Sequence, residues 1–514
     1  MKQTGKLENR DRLLFALIFA GLLLRLLLSP PIWLHGEARE GLVVQGIVHA
    51  HQWGLRVLPY RNGEMPSKPP LFHWIAALAA LLIGVNDFTV RLPSAIGAEI
   101  IVIATFLLGR SVGGRRAGWL AVGALLGMYE FWDAAAQARV DMVFSACVTV
   151  AIAGFIFWYR EGNNGARAAC YIATACAVLA KGPAGVVLPG VVIVAFLTAE
   201  RRLRRLGDLW SWPLALSVVV IDVGWYALAY HIGGNEFLQV QIQRENLDRA
   251  LGSGEFMEHK NFLVTAGWLV TRTLPWNLAL LWSLIRRWRG QREDSTGRLL
   301  HVWWISVMVV FALAAGKRAV YLLPLYSAIA VLAARSLIEI IPGWARSTGI
   351  KGAAPLAPAP GGAPLYRLTA GKAIGAGIVA LDLAVMLVNH NVWRSAKSRR
   401  ARLAFIAKIG EIVPTQAALF AAADFDNNNL IVMAYRLGRG LERKTLICAD
   451  RKDYFLLPLE RKDQAAVEVK IVASSEIDGV SLVTLLSENP ASNDANCKMK
   501  SPRVVCQGDT QCAN

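Results

Sequence analysis

Seven cations and five acids in this chain are of types that could hold an anion and move a proton. Arg39, Lys68, Arg139, Lys181, Arg244, Lys317 and Arg318 interrupt or border apolar runs, and Glu37, Glu40, Asp133, Asp141 and Glu245 lie among them. Guanidinium and ammonium groups stabilise charge on a departing anionic group, and a carboxylate can take the proton of an attacking hydroxyl. Both signs gathered at the mouth of a helical bundle would suit displacement of an anionic leaving group by a hydroxyl. Taken singly, each residue reads more simply as a solvated loop charge or a snorkelling side chain. As a set near one face of a membrane protein, where cations at helix ends are disfavoured, they argue for a site.

The elements that must position these groups are membrane helices. The 514 residues are 55% hydrophobic and 18% charged, with a mean hydropathy of +0.40. That is too apolar for a water-soluble globule of this length, and apolar runs near 20 residues recur. Soluble dehydrogenases, kinases and nucleic-acid-binding domains are thereby excluded. The net charge is +18; residues 394–514 hold 18 basic and 14 acidic side chains, so the remaining +14 falls where the apolar runs are. Basic cytoplasmic loops account for it better than nucleic acid does.

Lys2, Lys6, Arg10 and Arg12 ahead of an apolar run from Leu13 read as a signal anchor with its N-terminus inside, so the first span covers 13–34. Basic clusters at Arg110, Arg115 and Arg116, at Arg160 and Arg167, at Arg201 to Arg205, and at Arg286 to Arg292 mark further cytoplasmic loops. The count then requires the run at 71–85 to lie along the surface or re-enter. At about 15 residues and ~1.5 Å per residue it is short for a ~30 Å core. Spans are expected at 91–109, 118–136, 141–159, 170–182, 184–200, 212–231, 262–285, 300–315, 319–339 and 373–392, with Lys181-Gly182-Pro183 as the outer turn of a hairpin.

The expected fold class is an α-helical polytopic membrane protein of about eleven transmembrane helices, with surface helices in the first outer loop and a small C-terminal α/β domain. The transmembrane domain covers 1–393 and contains a Pro/Ala/Gly-rich linker at 346–372. Short apolar runs at 417–423, 444–448, 467–472 and 481–486, with a helical piece near 429–437, make 394–490 the α/β domain, and the polar tail 491–514 is expected to be disordered. Cys147, Cys170 and Cys176 fall in spans as small packing residues, whereas Cys448, Cys497, Cys506 and Cys512 are an even set suited to an oxidising compartment.

The motifs are more specific than the composition. His35-Gly36-Glu37-Ala38-Arg39-Glu40 follows the first helix, and Lys68-Pro69-Pro70-Leu71-Phe72-His73-Trp74 comes some 30 residues on. Arg139-Val140-Asp141, Leu179-Ala180-Lys181-Gly182-Pro183 and Gly316-Lys317-Arg318-Ala319-Val320-Tyr321 follow in turn. In that order, over about residues 12–335, they resemble the bacterial protein O-mannosyltransferase and aminoarabinose transferase family, membrane enzymes of the glycosyltransferase C class.

The resemblance implies an inverting transfer of a sugar from a polyprenyl-phosphate donor to an acceptor hydroxyl or phosphate. The acceptor would be lipid A, a glycan or a protein Ser/Thr, at the periplasmic face of the bacterial inner membrane. Arg39 and Lys68 are implied as donor-phosphate ligands, with Tyr321 near the same phosphate; Lys317 and Arg318 join them on charge and position. Family members commonly carry Asp-Glu where this chain has Gly36-Glu37. Glu37 therefore ranks first and Asp141 second as catalytic base or acceptor-orienting group. The acid that some aminoarabinose transferases place directly before the loop lysine is Ser67 here, and no Cys/His cluster suits a structural zinc, so no cofactor is expected and a divalent metal is unsupported.

The expected partners are the lipid-linked donor, the acceptor and the bilayer, with no nucleic acid. Two other readings stay open: a transporter or flippase of lipid-linked sugars, which calls for an inverted repeat that the sequence does not display, and a lipid-to-glycan ligase using a diphosphate donor. His73 and Trp74 read as interfacial anchors. Arg272, mid-span, should face a cavity or an acid such as Asp222 or Glu99. Residues 243–246 read as a loop helix.

Overall fold

The computed structural model describes residues 7–32, 34–49, 67–248, 261–289, 294–314 and 316–340, and further on 403–413, 419–421, 427–437, 442–443, 454–458, 469–475 and 480–485. The span expected at 373–392, the linker at 346–372, the tail at 491–514 and the four C-terminal cysteines lie outside the described residues. An apolar chain crossing a bilayer must satisfy its own backbone, which a helix does within one segment. Helix accordingly dominates the described residues up to 340. Among the described residues, five stretches are long and apolar enough to cross a membrane: Asp87–Leu126, Val140–Glu161, Trp212–Asp248, Ser295–Leu313 and Ala319–Glu339. The chain is built as a multi-pass helical membrane protein.

In order, the helices are α1 (Asn9–Leu28), α2 (His35–His49), α3 (Leu71–Ile83), α4 (Asp87–Leu126), α5 (Tyr129–Ala135), α6 (Val140–Glu161), α7 (Asn164–Lys181), α8 (Ala184–Ala199), α9 (Arg205–Leu209) and α10 (Trp212–Phe237). A π-helix, Leu238–Asp248, continues α10. Then come α11 (Phe262–Thr273), α12 (Trp276–Trp288), α13 (Ser295–Leu313), a 3₁₀ helix (Ala319–Leu325) and α14 (Tyr326–Ile340). Helix α1 and α3 to α14 form one compact unit; α2 is grouped with the C-terminal segment in a second. The division therefore does not follow a single boundary at residue 393.

Three expected spans differ from the helices observed. The first ends at Leu28, because Ser29-Pro30-Pro31 stops it, and His35 opens a separate helix rather than ending the first. The stretch expected at 118–136 stops at Leu126, and α5 follows as its own short helix. The run at 262–285 is two helices parted at Leu274-Pro275, since proline cannot donate to the helical ladder. The short run at 71–85 forms a 13-residue helix with Phe72, His73, Ala76, Ala77 and Ala80 buried and Leu78, Leu81, Leu82 and Ile83 exposed. His73 is 1% exposed, so it packs inside the unit and is no interfacial anchor.

Small residues set the helix pairing. α4 leaves helical geometry at Gly113-Gly114, where Gly114 has φ +76°, a value that glycine alone adopts without strain. The halves then approach closely enough that a Cβ on Gly109 would stand 2.8 Å from the Ala117 carbonyl oxygen. At the inner end of this corner Arg115 Nε donates to Asp11 Oδ1 at 2.7 Å and Trp119 Nε1 donates to the same atom at 2.9 Å, tying α1 to α4. Helices α6 and α7 turn at Gly162 and Asn163, whose side chain caps α7 by accepting from Ala166 N at 3.1 Å.

The second unit holds a five-stranded sheet. Its strands are β1 (Leu419–Ala421), β2 (Glu442–Arg443), β3 (Tyr454–Pro458), β4 (Val469–Ser475) and β5 (Val480–Leu485), in the order β2-β1-β3-β5-β4. β1 is parallel to β2 and β3, and β5 is antiparallel to β3 and β4. Helix α15 (Asn427–Leu437) lies against α2: Gln45 Nε2 donates to the Tyr435 carbonyl at 2.9 Å, and Arg436 Nη2 donates to the Ile32 carbonyl at 2.7 Å. Gly41 faces the Tyr435 ring with no room for a Cβ.

The α7–α8 hairpin offers the sharpest packing test. A Cβ on Gly185 would stand 2.3 Å from Val178 N and 2.4 Å from Ala177 C, both backbone atoms that cannot swing away. Gly185→Val should therefore destabilise the protein by about 1–3 kcal/mol or more. A thermal-unfolding midpoint in detergent equal to wild type would show that the hairpin opens freely instead.

Candidate functional site

The α6–α7 pair places two charges together. Asp141 lies in the first turn of α6 and Lys181 in the last turn of α7, so an antiparallel hairpin brings both to one end of the bundle. Lys181 Nζ donates to Asp141 Oδ1, with the side chains 12% and 18% exposed. The ammonium also sits 3.9 Å from the centroid of the Tyr321 ring, which is braced by Phe311 at 5.4 Å. A cation over an aromatic face gains attraction without spending a hydrogen-bond donor.

Lys68 is fixed differently. The prolines at 69 and 70 restrict the backbone ahead of α3 and are buried. Its Nζ donates to Glu245 Oε2 at 2.6 Å, and its carbonyl accepts from Gln241 Nε2 at 3.2 Å. Both partners belong to the π-helix, a rare geometry that is frequent at functional sites. Asn246 on the same element lies beside Gly182 and Tyr226 at the α7–α8 turn, since a Cβ on Gly182 would reach 3.1 Å from Tyr226 Oη and 3.5 Å from the Asn246 amide. Asp141 is within electrostatic reach of Lys181, Arg139 and Lys68, which joins the two ion pairs in one cluster.

The neighbouring corner adds a third pairing. Arg139 Nε donates to Gln137 Oε1 at 2.6 Å, and Gln137 Nε2 donates to Asp133 Oδ2 at 2.7 Å. Arg272 Nε stands 3.6 Å from Glu130 Oε2, and its guanidinium lies 5.0 Å from the centre of the Tyr129 ring. Glu130, on α5 and so outside the five spanning stretches, has its carboxyl raised by burial, which the nearby Arg272 only partly offsets.

Of the residues expected from sequence, Lys68, Asp141 and Tyr321 fall in this cluster. Lys317 Nζ turns back to the Ala314 carbonyl at 2.6 Å, and Arg318, before the 3₁₀ helix, is exposed. Glu37 and Arg39 are on α2 in the second unit: Glu37 is 4% exposed, and Arg39 Nη2 bonds Glu40 Oε1 at 2.7 Å. The partner of Arg272 is Glu130, not Asp222 or Glu99, because the helix break at Pro275 turns the end of α11 toward α5. Lys181 and Glu245 were visible as outer charges, but their pairing with Asp141 and Lys68 depends on helix contacts that no local pattern carries. Among the described residues no group of three or more His, Cys, Asp or Glu side chains is arranged to hold a metal ion.

Comparison with known proteins places this arrangement. The family model described as dolichyl-phosphate-mannose-protein mannosyltransferase matches residues 67–225, the stretch that supplies Lys68, Asp141 and Lys181. A crystal structure of ArnT from Cupriavidus metallidurans bound to undecaprenyl phosphate superposes with a TM-score of 0.73 at 17% identity, covering 92% of this chain and 97% of that one. The chain shares the fold of that structure. An oligosaccharyltransferase from Archaeoglobus fulgidus shares it more distantly, with a TM-score of 0.52 at 12% identity, covering 87% of this chain and 70% of that one.

In sequence, the chain is similar to proteins named undecaprenyl phosphate-alpha-4-amino-4-deoxy-L-arabinose arabinosyl transferase. The one from Shewanella sediminis is 26% identical over 330 residues, 62% of this chain and 58% of that protein. One from Pseudomonas fluorescens is 27% identical over 61% of this chain and 55% of that protein. The chain thus spans little more than half the length of these relatives. The family resemblance drawn from the five motifs is borne out.

The Lys181–Asp141 pair makes a checkable claim about coupling. Asp141→Asn or Lys181→Met alone leaves one charge buried without its partner, at a cost of about 3–5 kcal/mol. The double variant should recover much of that loss. Thermal unfolding of the four proteins checks it; additive losses would mean that the two side chains act independently.

Proposed function

We propose that this protein is an integral membrane glycosyltransferase that moves a sugar from a polyprenyl-phosphate donor to an acceptor hydroxyl or phosphate at the periplasmic face. The observation that carries this is the pair of ammonium groups, Lys68 and Lys181, each held by a carboxylate at the same end of the bundle. A polyprenyl phosphate keeps its tail in lipid and its phosphate at the interface. There, fixed cations in a water-poor setting stabilise the charge that develops as the sugar leaves. Relatives named as aminoarabinose transferases support undecaprenyl phosphate as the carrier and an amino sugar as the cargo.

In this reading Lys68, with Arg39, binds the donor phosphate, and Tyr321 supports it through the Lys181 cation above its ring. Lys317 and Arg318 supply further positive charge at the mouth. Glu37 serves as base or acceptor-orienting group, with Asp141 second. The chain crosses the inner membrane about eleven times, and 394–490 forms a small α/β domain. Sidedness can be checked with single cysteines in a cysteine-free background: an impermeant reagent should label position 67 from outside intact cells and leave position 201 unlabelled.

The decisive experiment is transfer by purified full-length protein from undecaprenyl-phosphate-linked aminoarabinose, with Glu37, Arg39, Lys68 and Asp141 each changed to alanine. Lys68→Ala and Asp141→Ala should lower kcat/KM by about 10²–10³. Wild-type rates in all four variants would overturn the assignment.

A further inference from the structure

Helix α2 carries Glu37 and Arg39 but does not inherit its direction from α1. Ser29-Pro30-Pro31 ends α1, and the two prolines deny the chain a continuous helical path to His35. Within the second unit the partner that sets α2 is α15, and three contacts converge on two consecutive residues of it. Arg436 donates twice to the Ile32 carbonyl, from Nη2 at 2.7 Å and from Nε at 3.1 Å, and Ile32 is fully buried. The Tyr435 carbonyl lies in the last turn of α15, where the helix itself offers no N–H, and accepts from Gln45 Nε2 at 2.9 Å. The Tyr435 ring fills a notch at Gly41, where a Cβ would stand 2.3 Å from Cε2.

These contacts fix α2 in rotation as well as in height. At 3.6 residues per turn, Glu37, Gly41 and Gln45 fall on one stripe of the helix. Gly41 and Gln45 both meet Tyr435, so α15 covers that stripe, with Glu37 one turn ahead of the notch. Arg39 is two residues from both Glu37 and Gly41, about 200° around the axis, and so stands on the side of α2 away from α15. There its Nη2 bonds Glu40 Oε1, and its side chain keeps 27% exposure. Apolar burial is non-directional and by itself would let α2 roll against α15. A ring in a glycine notch, with a charge-assisted anchor ahead of the helix and an amide anchor within it, does not.

We propose that Tyr435 and Arg436 are positioning residues of the transferase: they hold α2 so that Arg39 is turned away from α15 and toward the donor phosphate. This rests on the reading of Arg39 as a donor ligand and adds to it two residues far along the chain that act through α2 without touching substrate. The C-terminal segment thereby becomes part of the machinery that aims donor binding.

The test compares transfer from undecaprenyl-phosphate-linked aminoarabinose by full-length wild type, Arg436→Met, Arg436→Lys, Tyr435→Ala, Arg39→Gln and the double variant Arg39→Gln/Arg436→Met, together with amide hydrogen exchange. Losing the guanidinium bonds in Arg436→Met should raise the donor KM by about tenfold and change kcat by less than about twofold. Arg436→Lys, which keeps a donor for the carbonyl, should fall between it and wild type, and Tyr435→Ala should repeat the pattern with Arg436 intact. The double variant should be no worse than Arg39→Gln, because both changes act through one side chain. Exchange should quicken in α2 by about tenfold and stay unchanged in α6 and α7. A wild-type donor KM in both Arg436→Met and Tyr435→Ala, a loss that multiplies in full with that of Arg39→Gln, or faster exchange throughout the bundle overturns the proposal. A wild-type donor KM in Arg39→Gln would instead overturn the reading of Arg39 as a donor ligand; faster exchange confined to α2 in Arg436→Met would then show that α15 still holds the helix, without a kinetic role.

Discussion

Opposite charges sequestered at the end of the α6–α7 hairpin are what the surrounding structure must accommodate. A buried ammonium–carboxylate pair seldom improves stability over a well-packed apolar pair, because the desolvation of both ions offsets their attraction. The Lys181–Asp141 contact is therefore maintained by its setting: the Gly162 turn that brings the two helix ends level, the close backbone approach at Gly154 and Gly185, and the Tyr321 ring beneath the cation. Each small residue removes a side chain so that backbones can meet, which is how membrane helices associate when lipid is as apolar as leucine. The packing of the bundle and the placement of its charge are one constraint.

Pairing also explains how several cations can share one corner. Bare ammonium and guanidinium groups in a low-dielectric cluster would repel one another. Glu245 on Lys68, Asp141 on Lys181 and Glu130 near Arg272 neutralise them pair by pair. A phosphate entering such a cluster meets donors that are already aimed and does not have to gather them from flexible loops. Its charge is then balanced by exchange with carboxylates, and the ordering cost is reduced because the scaffold is built beforehand.

Much of this was legible from residue types. Apolar run length and the basic loops reveal a polytopic membrane protein, and the Lys68-Pro69-Pro70, Arg139-Val140-Asp141 and Lys181-Gly182-Pro183 motifs point to the cluster. Pairings were not legible. Which acid meets Lys68 depends on a π-helix far along the chain, and a π-helix has no distinct sequence period. Which acid meets Arg272 depends on Pro275 splitting an apolar run that hydropathy alone reads as one span. His73 fails as an interface residue for a related reason: the apolar composition of α3 is uniform around the helix, so only the packed structure reveals which face is buried. The grouping of α2 with the C-terminal segment spans nearly 400 residues of sequence, and no local signal carries it.

The π-helix is the element on which donor binding would act most directly. Gln241 and Glu245, about one π-turn apart, grip Lys68 at its carbonyl and at its ammonium. That double hold helps maintain a helix form whose hydrogen-bond geometry is unfavourable over eleven residues. A phosphate that takes the Lys68 ammonium releases Glu245, whose side chain is only 8% exposed. A buried carboxylate that loses one cation leans on its other partners, takes a proton or moves toward water. The first two leave the π-helix where it is; the third shifts the segment that also holds Asn246 against Gly182 and Tyr226. The geometry thus links Lys68, through one carboxylate, to the segment that lies beside the α7–α8 turn and the Lys181 cation that precedes it.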